Sequence, residues 1–138
     1  MDKELLSNPS GYIYLASPYS SLEPATVEAR YKMALKMAAK LTAQGYTVFS
    51  PIVHSHPMSE FEKLPATWEF WQEFDRAFIA AASQLWVLCL PGWADSVGVA
   101  AELKIAMQYD LPVYYVTPDT ISPAGFRFVR VTEALTFN

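Results

Sequence analysis

The chain has 138 residues with 52% hydrophobic and 17% charged, which fits one folded domain and excludes a disordered chain. A net charge of −4 and the lack of any Lys/Arg cluster argue against a nucleic-acid surface. No apolar run approaches the length of a membrane span, and Cys89, the single cysteine, excludes an intrachain disulfide.

Residues 1–10 read as a polar lead-in. The charged Met1-Asp2-Lys3-Glu4 has no apolar stretch behind it, so no signal peptide is expected and the cytoplasm is the expected compartment. Tyr12 to Ala16 is a short β-prone run, stopped by Ser17-Pro18-Tyr19-Ser20. Pro24 suits the first turn of a helix, apolar residues then recur at helical spacing from Val27 to Leu41, and Gly45 closes it. Tyr46 to Phe49 is a second strand, ended by Ser50-Pro51. Ile52 to Pro65 reads as an irregular binding loop. A helix follows from about Ala66 to Ala82, a strand from Leu85 to Leu90, and a helix from about Ser96 to Tyr109. Val113 to Val116 is a fourth strand, and Phe126 to Val131 a candidate fifth, at an edge.

Alternating strands and helices predict a flavodoxin-like, doubly wound parallel sheet of four to five strands, with helices on both faces, over a single domain. In such sheets ligands bind beyond the carboxyl ends of the strands. Those ends carry Ser17, the Ser50–His56 segment and the stretch from Leu90 to Ser96.

Two acids stand out of place. Glu102 shares a helical face with Gly98, Val99, Ile105 and Ala106, and Asp75 shares one with Trp68, Trp71, Ile79 and Ala82. A carboxylate among apolar residues needs a reason, and burial raises its pKa into the range that acid and nucleophilic catalysis use. Each could also be a structural carboxylate. Ser96 stands at a helix start, as a cap or as part of a phosphate seat, and Gly98 leaves room beside it. Trp93, on a strand-end loop, either stacks on a base or covers the sheet edge. His54 and His56 are the only histidines, and in an extended segment they would share one side. No cysteine and no placed carboxylate completes a tetrahedral set around them, so no metal is expected, and His56 reads as a ligand contact. Walker and G-x-G-x-x-G motifs are missing, which leaves no cofactor signal.

Taken together, these residues resemble the nucleoside 2-deoxyribosyltransferase superfamily, including its nucleotide N-glycosidase branch. Tyr14-Leu15-Ala16-Ser17 looks like its first-strand element, Asp75 like the acid on the helix before the third strand, and Ser96-Val97-Gly98-Val99-Ala100-Ala101-Glu102 like its helix start. The resemblance runs from about Tyr12 to Val116. The Ser17-Pro18-Tyr19 loop lacks the Gly/Arg character of the branch's phosphate-binding loop. The resemblance implies cleavage of an N-glycosidic bond or base exchange on a nucleoside or nucleoside 5′-monophosphate. Glu102 would attack C1′, Asp75 would protonate the leaving base and Tyr14 would orient Glu102. Ser17, His56, Trp93, Ser96 and Gly98 would contact the substrate. It also implies a homo-oligomer, dimer or tetramer, which four Trp, eight Tyr and eight Phe in a small chain favour as well, while charge and the lack of a long apolar run predict no nucleic-acid polymer and no membrane as partner. The alternative is a non-catalytic nucleotide-binding module that uses the same cleft.

Overall fold

A computed structural model describes residues 11–131; the lead-in read over residues 1–10 lies outside them. The chain alternates strand and helix: β1 (Ile13–Ala16), α1 (Pro24–Ala43), β2 (Val48–Phe49), α2 (Pro51–Glu62), α3 (Trp68–Ala80), β3 (Gln84–Leu88), α4 (Val97–Gln108), β4 (Val113–Pro118) and β5 (Phe126–Arg130). The five strands form one sheet in the order β2-β1-β3-β4-β5. β1 pairs in parallel with β2 and β3, and β3 with β4. This is the flavodoxin-like α/β arrangement the pattern predicts, with one difference: β5 returns antiparallel to β4. The short connection from β4 to β5 explains it, because a parallel partner would need a full crossover.

Alternation along the strands divides the core in two. Ile13 and Leu15 of β1 and Trp86 and Leu88 of β3 face Met37 and Leu41 of α1. Tyr14, Ala16, Leu85 and Val87 face the other way, onto Ile79 of α3 and Val99, Leu103 and Ala106 of α4. A sheet covered on both faces has strands that are apolar throughout, and β1 and β3 are buried at every position.

Local chemistry sets the helix limits. Pro24 opens α1. At its end Gly45 takes φ 96°, with Gly45 N–H donating to Thr42 O and Tyr46 N–H to Leu41 O. This paired closure satisfies carbonyls that the helix leaves free. One expectation fails. The segment from Ile52 is not an irregular loop but α2, with Ser50 capping Val53 N–H at 3.2 Å and Pro51 in the first turn. Ser50-Pro51 ends a strand and starts a helix at once. Pro57 inside α2 removes one helical N–H donor, which is why the segment reads as broken. β3 also stops at Leu88, two residues short of the expected end. Cys89 follows it half-buried, with Sγ 3.5 Å from Val87 O. No helix among the described residues is long and apolar enough to cross a membrane.

Candidate functional site

β1 leads off to β2 on one side, while β3 leads to β4 on the other. The carboxyl ends of β1 and β3 therefore diverge, and an open sheet forms its ligand crevice at such a switch point. A cavity of about 500 Å³ lies there, a volume suited to a small metabolite. Ser17 follows β1, Gly92 to Glu102 follow β3 and lead into α4, and Asp75 arrives from α3.

Glu102 and Asp75 form the floor, and Tyr14, which lies outside the cavity lining, holds Glu102 from behind. Tyr14 Oη donates to Glu102 Oε2 at 2.5 Å, and both side chains are buried. Burial, then the charge of Asp75, pushes the Glu102 carboxyl well above the usual range, and the Tyr14 bond works against that rise. Burial pushes Asp75 up to about 7, and the Tyr14 hydroxyl again opposes. Tyr14 itself is raised well above the ordinary phenol, by burial and then by the two acids. The charge on either carboxyl therefore disfavours charge on the other, which links their ionisation. Adding a second charge beside the first in a dry site is unfavourable, so the pair keeps at least one proton at neutral pH. The short phenol bond favours the charge on Glu102.

The walls come from three loops and from residues of α1, α2, α3 and α4. Ser96 caps α4, accepting from Val99 N–H at 3.2 Å, and its own hydroxyl proton is left to donate. A Cβ at Gly98 would meet nothing closer than Ser96 Oγ at 3.9 Å, so this position opens onto free space. Ser17 is 5% exposed, and its Oγ has no hydrogen-bond partner among the described residues. A buried hydroxyl without a partner on a cavity wall is a group waiting for a ligand.

Two of the expected contacts are placed elsewhere. His56 is buried behind Tyr19, whose Oη lies 2.7 Å from His56 Nδ1, and Tyr19 rather than His56 lines the cavity. Because the segment is helical, His54 and His56 do not share a side: His54 is exposed and stacks on Phe74. Trp93 packs on Tyr115, with ring centroids 4.9 Å apart, outside the cavity lining. It packs against the core on the α3 and α4 side of the sheet, over β4 rather than over an edge strand. Trp68 and Trp71 of α3 line the cavity, and Trp68 also packs against the core.

Arg30 is a wall residue that sequence reasoning missed. Its guanidinium spans the mouth, donating to Ser20 O at 2.8 Å and to Pro91 O at 3.3 Å. Gly92 allows this approach: its φ is 91°, and a Cβ there would stand 2.5 Å from Arg30 Nη2. The signal was present, because Arg30 shares the helical face of Val27 and Ala34. Arg30 faces Asp95 and Glu69 among the other lining residues, so the rim is mixed in charge.

The family model that matches this chain, over residues 11–117, is described as a domain of unknown function (DUF1937). The chain belongs to that family. The matched span begins just before β1 and ends within β4, so it holds Tyr14, Asp75, Glu102 and the whole cavity lining, and leaves out β5. A comparison with curated proteins gives no match.

Proposed function

We propose that the protein cleaves, or exchanges the base of, an N-glycosidic bond in a nucleoside or nucleoside 5′-monophosphate. The observation that carries this reading is the pair of buried carboxyl groups joined through Tyr14 on the floor of the switch-point cavity. An oxocarbenium-like transition state needs a carboxylate beside C1′ and an acid beside the departing base nitrogen. Glu102, held by the Tyr14 hydroxyl, attacks C1′ in its ionised form and displaces the base. Asp75 gives its proton to the leaving nitrogen. Water or a second base then releases the sugar from Glu102. The resemblance stated above supports the same assignment.

The phosphate of a monophosphate substrate sits where Ser17, Ser96 and the first turn of α4 meet. The free N–H groups of a helix start suit an anion. Arg30 supplies the guanidinium that the Ser17-Pro18-Tyr19 loop lacks, while Asp95 opposes the anion. Large apolar side chains outside the core, such as Phe61 at 83% and Val97 at 74% exposed, favour a homo-oligomer. A cytoplasmic location fits a metabolite substrate.

Incubation with a panel of nucleosides and 5′-monophosphates, followed by chromatography of free base, tests the reaction. Free base above the no-enzyme control is expected for at least one substrate. Thermal stabilisation by a nucleotide without base release would instead assign the cavity to binding alone. Light scattering across a dilution series tests assembly, and a monomer mass at tens of micromolar would refute it.

A further inference from the structure

His56 is held from three directions. Its Nδ1 meets Tyr19 Oη at 2.7 Å, and Tyr31 stacks on the ring with centroids 4.1 Å apart. Its Nε2 faces Glu28 Oε1 at 3.3 Å. Glu60 completes a cluster in which one ligand atom each of Glu28, His56 and Glu60 lies within 4.8 Å of the others. His56 and Glu60 are four apart on α2 and share its face. Glu28 reaches across from α1.

The spacing is informative. An ion-pair hydrogen bond from imidazolium to carboxylate is usually about 2.7–2.9 Å. Zinc bonds of about 2.0–2.1 Å place two ligands of a tetrahedron about 3.3 Å apart. At 3.3 Å, Nε2 and Glu28 Oε1 already stand at that second separation, and Glu60, within 4.8 Å, needs only a side-chain adjustment to join them. Charge points the same way. Two carboxylates flank one imidazole, while Lys32 reaches Glu28 only at 4.0 Å through exposed side chains. Tyr19 Oη stands where it can accept from Nδ1–H, the tautomer that leaves Nε2 free to ligate.

We propose that Glu28, His56 and Glu60 bind a divalent transition-metal cation of the zinc class. The cation ties α1 to α2 and, through His56, fixes Tyr19 on the cavity wall. One imidazole and two carboxylates make a borderline donor set, which favours Zn²⁺ over Mg²⁺. The site is separate from the Asp75–Glu102 floor and does not depend on the reaction proposed there.

Calorimetry with chelator-treated, dialysed full-length protein tests it. Zn²⁺ is expected to bind one per chain and to raise the melting temperature, and Mg²⁺ at the same concentration is not. Glu60→Gln and Glu28→Gln, both at solvent-accessible positions, are expected to keep the fold and weaken Zn²⁺ binding by about tenfold or more. His54→Ala is expected to leave binding unchanged. Absence of Zn²⁺ binding overturns the proposal, as does binding that both glutamine variants retain in full.

Discussion

Tyr14 and Leu15 are adjacent on β1, both fully buried, and face opposite sides of the sheet. Leu15 joins Trp86, Leu41 and Val116 in a core with α1 that holds no buried acid among the described residues; its buried polar residue, Gln84, is neutral and accepts from Trp86 Nε1. Tyr14 turns toward α3 and α4, where the buried set also holds Asp75 and Glu102. Apolar burial stabilises the first face by about 25 cal/mol per Å². The second face gives up part of that gain to bury two acids. Natural domains often carry such a conflict at the place where they work.

Four substitutions sharpen or break the contrast. Glu102→Gln keeps the shape of the side chain and removes its charge, so the fold is expected to survive while base release falls by roughly 10⁴-fold or more. Near-normal turnover in that variant would end its role as nucleophile. On the other face, Leu15→Ala is expected to destabilise the fold by about 2–5 kcal/mol. The fraction that stays folded should keep its turnover, and denaturant melts beside specific activity measure both.

Asp75→Asn tests the strain of the acid face directly. The folded carboxyl titrates near 7 against an ordinary value of 3.8. Its contribution to stability is therefore fully present below the ordinary value and is lost as pH rises through the folded one. The asparagine does not titrate. Its melting temperature relative to wild type should climb between pH 4 and pH 7, by several degrees, and a flat difference over that range would contradict the raised pKa. The smallest effect is at Ser96. Ser96→Ala removes one charge-assisted bond, worth roughly 1.5–3 kcal/mol, from a bound monophosphate. Loss of the cap destabilises the helix for both ligands, so the monophosphate-to-nucleoside affinity ratio is the quantity to read. An unchanged ratio would remove the phosphate seat.

The acid face was legible from sequence where a charge broke an apolar stripe. Glu102 and Asp75 each interrupt a helical period, and the period fixes which side they face. The α/β order was legible for the same reason, since β1, β3 and β4 are apolar runs set between helical patterns. α2 was not. Pro57 interrupts its pattern, and Ser50-Pro51 serves a strand end as well as a helix cap. Once α2 was read as extended, His54 and His56 fell on one side, and the carboxylates that face His56 went unseen. Glu60 is one helical turn away and Glu28 lies on another helix, so only the helical reading and the packing of α1 on α2 bring them together. Trp93 misled because a tryptophan on a strand-end loop suits base stacking and cover of the sheet equally, and only tertiary placement, here against Tyr115 of β4, separates them.

The two margins of the sheet differ from its middle. β2 pairs through two residues, and β5 runs against its neighbour with Arg127 and Arg130 exposed along it. A margin so short on one side and so charged on the other is a poor template for another chain's strand. Extension of the native sheet by a strand from another chain is therefore disfavoured at both margins.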